Sequence, residues 1–429
     1  MRIPCFILIA LLAVPVLAQP TAREWNQQVT AGWNLGNQLE CQPPGADNES
    51  TSITCPSNHL QTETSWGNPV VTQQMLQAVK NAGFNAVRIP VRWQHHIDNV
   101  STMSINTDWL QRVKEVVGYA LGLGLKVIIN THHEKWLESR STYYYQEENN
   151  NHLRLLWIQI AEAFKDYDHQ LAFAGTNEVH VQDLWTAPTA ENLTVQNTYN
   201  QTFVEAVRAT GGNNAKRHLI VQTYACNPAY GLQNQGFVIP TDSEGNGNNY
   251  MSVEVHYYTP WDYCGGGNIY YWGEAYQKYG NISGIELTMR QDLDSWVSAW
   301  SQQGMGIVIG EWGVSDHYLN TYKDRIHENM AYYCQTLVSE ARQRGIATFV
   351  WDNNAFGNGE EKFGIFNRHS NMSLKASWIL QGIQQGVATH LPQQLIQQQH
   401  AVPIRKVLDN GRLIIQKGHK TYTLSGVEI

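Results

Sequence analysis

Eight short runs of strand-forming residues, separated by stretches with helical spacing, constrain this chain more than any other feature. The runs fall at residues 31–35, 85–90, 126–130, 171–175, 218–223, 251–256, 306–309 and 346–350. Between them, Met75, Leu76 and Val79 mark one amphipathic helix, and Leu110, Val113, Val117 and Ala120 mark another that stops at Gly122-Leu123-Gly124. Leu293, Trp296, Val297 and Trp300 supply a third helical face, which ends before Gly304. Strand and helix alternating in this way predict a parallel sheet covered by helices, and eight repeats favour closure into a (β/α)8 TIM barrel over an open sheet. A chain of 429 residues holds one such barrel and a short accessory piece.

Polar residues gather where these strands end. Arg88 lies near the end of the second run, His132 and His133 follow the third, and Asn177-Glu178 follow the fourth. Tyr224 follows the fifth, His256 and Tyr258 close the sixth, Glu311-Trp312 follow the seventh, and Trp351-Asp352-Asn353 follow the eighth. A closed barrel brings all these ends to one face, where sites are built in this architecture. Gly32-Trp33-Asn34-Leu35-Gly36 opens like a phosphate-binding loop, but it lacks the glycine spacing and the Gly-Lys-Ser or Gly-Lys-Thr that such loops need. Its glycines are expected to serve a close turn. His132-His133-Glu134 lacks the two histidines four apart that hold zinc in metalloproteases. No metal and no cofactor is expected.

A formal charge of -8 gives no basic field for nucleic acid and fits an uncharged substrate. The 15 Trp and 21 Tyr often sit beside Gly, Asn and His, where flat side chains suit stacking on sugar rings. Trp66, Trp136, Trp185 and Trp261 lie in such loop-like contexts; each is a candidate for contact with substrate or, equally, a covering core residue.

The two ends of the chain read differently from its body. Residues 1–18 have the pattern of a signal peptide: Arg2, an apolar run from Phe6 to Val14, and small residues at Val16 and Ala18. The mature protein is then exported, secreted or held at the cell surface, with no stable membrane insertion. Its cysteines are Cys41, Cys55, Cys226, Cys264 and Cys334, of which Cys41 and Cys55 flank a polar loop and can either pair or remain thiols. The catalytic unit is expected over residues 19–390, a glutamine-rich linker over 391–403, and a small β-rich tail over 404–429 with strands around Ile404, Leu413 and Thr421. A monomer is expected.

Seven segments in order carry a resemblance. Gly32-Trp33-Asn34-Leu35-Gly36-Asn37, Val87-Arg88-Ile89-Pro90, Asn130-Thr131-His132-His133-Glu134, Asn177-Glu178, His256-Tyr257-Tyr258, Gly310-Glu311-Trp312-Gly313 and Trp351-Asp352-Asn353 are similar to the motifs of glycoside hydrolase family 5. The likeness is strongest to its endo-β-1,4-glucanase and xyloglucanase branch. It implies a retaining mechanism with Glu178 as acid/base and Glu311 as nucleophile, supported by Arg88, Asn177, His256 and Tyr258. It also implies that Asn37, His132, His133 and Trp351 line the subsites next to the cleaved bond. One departure stands out. The family run before the acid/base is Phe-Glu, two residues, then Asn-Glu-Pro, whereas this chain has Phe173-Ala174-Gly175-Thr176-Asn177-Glu178-Val179 and so lacks the upstream carboxylate and the proline. The tail resembles the sorting domain with which Bacteroidetes-type bacteria pass proteins through the outer membrane, which would make that secretion machinery a partner; a small hairpin packed on the barrel is the plain alternative.

The resemblance leads to an expected activity: cleavage of internal bonds in β-1,4-glucans, with mixed-linkage glucan and xyloglucan as related substrates. A β-mannanase would use the same pair of glutamates, and a polysaccharide-binding protein without catalysis would keep the tryptophans alone. Arg88 and Tyr258 can hold the Glu311 carboxylate from two sides, and Asn177 can bind the sugar 2-hydroxyl.

Overall fold

The computed structural model describes residues 19–182, 184–232, 236–280 and 282–389, together with the backbone of three strands between 404 and 422. The proposed signal peptide, the linker and the turns of the tail lie outside the described residues. Among the described residues, no helix is long and apolar enough to cross a membrane.

The eight runs close into a barrel of parallel strands: β1 Gly32–Asn34, β2 Ala86–Ile89, β3 Lys126–Asn130, β4 Leu171–Ala174, β5 Leu219–Gln222, β6 Met251–His256, β7 Gly306–Trp312 and β8 Ala347–Val350. Each strand pairs with its sequence neighbours, and β8 returns to β1. The helices expected around Leu76, Val113 and Leu293 form at Gln73–Asn81, Thr107–Gly122 and Glu286–Ala299. Period-two alternation divides each strand between two cores. Val87 and Ile89 of β2 and Val253 and Val255 of β6 face outward into the layer under the helices. Ala86, Ile128, Ala172, Ala174, Ile220, Val308 and Ala347 fill the barrel itself with small and branched side chains, together with the Phe349 ring.

A short helix, Ala22–Gln28, caps the lower end of the barrel, a feature the sequence reading did not include. Thr21 and Glu24 form a capping box at its start. Trp25 enters the interior cluster, and the Asn26 Nδ2 donates to Ser252 Oγ and the Ile307 carbonyl, both at 3.1 Å.

The seventh strand differs from the expected 306–309 in length and in regularity. Val255 pairs with Ile309, but the next residue, His256, pairs with Glu311, so Gly310 is an extra residue on β7. Strict alternation from Val308 would turn Glu311 away from the interior; the bulge at Gly310 resets the phase and brings Glu311 beside His256. Only glycine fits there, since a Cβ at 310 would lie 1.7 Å from Glu254 Oε1. The glycines at the first strand also act by clearance. Neither has a positive φ. A Cβ at Gly32 would meet the Phe349 ring at 2.3 Å, and one at Gly36 would meet the Trp351 ring at 2.8 Å.

Ile404–Asp409, Arg412–Lys417 and Lys420–Tyr422 make a three-stranded antiparallel sheet in the tail. The five described cysteines are all free thiols, so Cys41 and Cys55 do not pair. Cys41 is buried and Cys55 half-buried. Burial, followed by the nearby Asp98, pushes the Cys55 thiol up to about 12, which keeps it protonated and poorly nucleophilic.

Candidate active site

The upper mouth of the barrel gathers five of the expected residues, Asn177, Glu178, His256, Tyr258 and Glu311, around a sixth, the buried Arg88. Arg88 leaves β2 fully buried and spends its guanidinium on four neighbours from other parts of the barrel. Its Nη1 donates to Asn34 Oδ1 at 3.1 Å and to Glu311 Oε1 at 2.9 Å, its Nη2 donates to Asn177 Oδ1 at 2.9 Å, and its Nε stands 3.0 Å from Glu254 Oε1. A planar fork with five N–H groups suits such a hub better than an ammonium would. Burial opposes the charge on Arg88, yet Glu254 and Glu311 more than compensate and hold the guanidinium ionised.

Glu311 is fixed from two sides. Arg88 holds Oε1, and the Tyr258 hydroxyl donates to Oε2 at 3.2 Å. Burial, then the charges of Glu311 and Glu178, raise the Tyr258 phenol well above its usual range, so it remains a donor. Glu178 sits in the loop after β4, which is pinned on both sides: Thr176 N–H donates to Gln222 Oε1 at 2.9 Å, and Cys226 Sγ donates to the Asn177 carbonyl at 3.3 Å. The Glu178 side chain keeps 26% of its surface exposed against 8% for Glu311, so the first opens to the cleft while the second lies deeper.

His256 joins the two. Its Nδ1 is 2.6 Å from Glu178 Oε1 and 3.7 Å from Glu311 Oε2, and its Nε2 is 3.5 Å from Glu254 Oε1. Burial disfavours its charge, but Cys226, Glu311 and Glu178 raise it well above the ordinary histidine value. The Cys226 thiol is itself pushed up to about 12 by burial and stays neutral, so the two carboxylates carry the effect. One oxygen of each carboxylate and a His256 ring nitrogen lie within 4.8 Å of one another.

Asn177 uses Oδ1 to accept from Arg88, which leaves its Nδ2 as the donor toward the cleft. His132 is buried; burial, then the neighbouring His133 and Arg88, push it well below its usual range, and Asn130 Nδ2 donates to its Nδ1 at 3.0 Å. Its ring lies parallel to that of Trp351, with centroids 6.1 Å apart. His133 has a φ of 57° and turns its Nδ1 to within 3.7 Å of Glu138. Glu134 is structural: it accepts from the Trp93 and Gln94 backbone and from Trp136 Nε1, and burial pushes its carboxyl up to about 7. Asn37, with a φ of 57°, is held by its backbone to Glu40 and Asn68.

The four tryptophans from loop-like contexts separate by burial. Trp136 is 2% exposed in the outer core and tied to Glu134, so it offers no face to a ligand, and the expectation of a substrate contact there is corrected. Trp66 is half-buried with its ring 6.1 Å from that of His133. Trp185 and Trp261 are 60% and 58% exposed; Trp185 stacks on His180, and Trp261 stands edge-on to Tyr258 at 6.0 Å.

Sequence reading gave no role in this site to three residues: Asn34 and Gly310, which lie inside quoted motif segments, and Glu254, which lies in none. A signal for Glu254 exists, because a glutamate two residues before His256 in a strand must share its face. The interior also accounts for the departure at Ala174. That position joins the apolar filling of the barrel, and the buried carboxylate beneath the site comes from β6 instead.

The model of the cellulase family, glycosyl hydrolase family 5, matches residues 47–357. The chain belongs to glycosyl hydrolase family 5. Among its relatives, endoglucanase A of Clostridium longisporum is 36% identical over 365 residues, which cover 83% of this chain and 64% of that protein. This chain therefore spans less than two thirds of that relative's length. Endoglucanase A of Paenibacillus barcinonensis is 33% identical, covering 86% of this chain and 90% of that protein. Among solved structures, a Bacteroides ovatus family 5 xyloglucanase in complex with a XXXG heptasaccharide superposes with a TM-score of 0.76 at 31% identity, covering 86% of this chain and 77% of that one. A Paenibacillus pabuli family 5 xyloglucanase gives 0.75 at 34% identity, covering 85% and 99%.

Proposed function

We propose that this family 5 chain is a retaining endo-β-1,4-glucanase in which Glu178 is the acid/base and Glu311 the nucleophile. The spacing of the two carboxylates carries the reading. One oxygen of each carboxylate lies within 4.8 Å of the other, a closeness that fits the carboxyl separation of about 5 to 5.5 Å used for retention better than the about 6.5 to 9.5 Å used for inversion. Their surroundings assign the roles. Glu311, gripped by Arg88 and Tyr258, is the carboxylate held in a fixed orientation for attack, and the more exposed Glu178 is the one open to the leaving group and to water.

In the first step Glu311 attacks the anomeric carbon while Glu178 gives its proton to the departing glycosidic oxygen, which forms a glycosyl-enzyme ester. In the second, Glu178 takes a proton from water, the hydroxide oxygen attacks the same carbon, and the Glu311 carboxylate leaves. Asn177 Nδ2 is placed to donate to the 2-hydroxyl, a contact that strengthens as charge develops on the ring. Trp351 provides an aromatic face beside the pair, and Trp185 and Trp261 provide exposed faces farther out. The endoglucanase and xyloglucanase names of the relatives support a β-1,4-glucan chain as substrate and xyloglucan as a branched form of it. Export through the signal peptide and sorting of the tail at the outer membrane fit a polymer too large to enter a cell.

The test runs a viscosity assay beside reducing-end counting on carboxymethylcellulose, xyloglucan and mannan. Internal cleavage collapses glucan viscosity while few ends have appeared. Steady release of glucose or cellobiose without viscosity loss, or activity confined to mannan, overturns the reading. Glu311→Gln abolishes turnover in a folded protein, and a fluorinated glycoside trap labels Glu311; a label on Glu178 reverses the roles.

A further inference from the structure

Beneath the proposed catalytic pair lies a third carboxylate that the mechanism above does not use. Glu254 is fully buried on β6 and has no route to substrate. It faces Arg88 Nε at 3.0 Å and His256 Nε2 at 3.5 Å, while Gln222 Nε2 donates to its other oxygen at 2.7 Å. Among the described residues Arg88 Nε, His256 Nε2 and Glu254 Oε1 have no hydrogen-bond partner, so these ion-pair contacts are what each of them faces. The chain has also cleared space for this group, since any side chain at Gly310 would collide with it. A buried ion is costly unless it is paired, so its presence here calls for a role.

We infer that Glu254 is a positioning residue that sets the charge of the site: it anchors the inner edges of Arg88 and His256, so that Arg88 turns its two terminal nitrogens to Glu311 and Asn177 and His256 turns Nδ1 to Glu178. The inference rests on the catalytic reading of Glu178 and Glu311. The charges facing Glu254 are Arg88 from β2, His256 from β6, and Glu311 from β7, with Glu178 beyond the His256 ring and the neutral Cys226 thiol alongside. With Arg88 and His256 positive and Glu254 and Glu311 negative, the site is neutral when Glu178 carries its proton, which is the form that begins the reaction. Without the Glu254 charge the same arrangement holds one net positive charge. That charge favours loss of the proton from Glu178 and from His256, and it favours the anion at Glu311.

The sign follows directly. In Glu254→Gln the nucleophile ionises at lower pH and the acid loses its proton at lower pH, so both limbs of the kcat/KM profile on a soluble β-glucan move to the acid side. A shift of about one pH unit is expected from removing a charge within a few ångström. The profile is measured beside wild type and Glu311→Gln, with folding checked by circular dichroism. If wild type shows no glucanase activity, or Glu311→Gln retains it, the catalytic reading fails. If wild type gives a bell-shaped profile and folded Glu254→Gln gives the same limbs at any activity level, the role assigned to Glu254 fails and the residue only packs. Should the amide variant not fold, Glu254→Asp draws the charge back by one methylene; it shifts both limbs the same way by less, and unmoved limbs there also overturn the proposal.

Discussion

Replacing Arg88 with Met tests whether one guanidinium neutralises the interior of this barrel. Met fills most of the aliphatic volume, so the dominant loss is electrostatic. Glu311 keeps the Tyr258 hydroxyl and its opening to the cleft, whereas Glu254 is left fully buried with Gln222 and His256 alone. A stranded carboxylate limits its own penalty by taking up a proton. At pH 7 the cost of protonating a group with an unfolded pKa near 4.3 is about 1.36 × 2.7, or roughly 3.7 kcal/mol, and at pH 5 it is only about 1 kcal/mol. In wild type Arg88 overcomes burial and holds Glu254 below its ordinary value. A depressed carboxylate contributes stability that is fully present above the unfolded pKa and is lost only as pH falls below it, so wild type does not change through this group between pH 7 and 5. The deficit of Arg88→Met should therefore shrink from about 4 kcal/mol at pH 7 to about 1 kcal/mol at pH 5. Urea unfolding followed by tryptophan fluorescence at pH 5, 6 and 7 measures it, and the added change Glu254→Gln should remove most of the pH dependence. A deficit equal at pH 5 and 7, or under about 1 kcal/mol at pH 7, would falsify the reasoning.

Trp185→Ala and Trp261→Ala each remove one exposed aromatic face and should raise KM for long oligosaccharides about three- to tenfold, with turnover of a short aryl glycoside unchanged. Equal losses on both substrates would place these rings in the fold instead. Burial pushes His218 down to about 3, so the folded state keeps it neutral. Its share of stability should fall by about 1.4 kcal/mol per unit as pH drops below about 6.5, and His218→Gln should flatten that slope in urea titrations. Because Cys41 and Cys55 are both thiols, dithiothreitol should leave the thermal midpoint unchanged; a fall of several degrees would reveal a disulfide.

The architecture was legible because its signal is repetitive. Eight apolar runs with helical stretches between them can bury both faces of a parallel sheet only by covering it, and strand-end polar residues such as Arg88, Glu178, His256 and Glu311 converge once that sheet closes. The tryptophans were less legible. Trp136 and Trp185 lie in similar polar contexts, yet a partner at Glu134 draws one into the core while the other stays at the surface. Local composition does not record which loop folds over a ring.

Sequence by itself thus determined the barrel, its strand order and the strand-end residues Arg88, Asn177, Glu178, His256, Tyr258 and Glu311, since these follow from hydrophobic period and chain order. Tertiary structure alone decided their relations. Alternation along 306–312 does not point Glu311 inward; a bulge against β6 does, and the bulged position must be glycine because Glu254 occupies the space beside it. Nothing local marks Glu254 as the partner of Arg88, for the two are brought to 3.0 Å by closure of the sheet. Period is a property of neighbours in the chain, whereas charge balance in a buried site belongs to groups that meet only after folding.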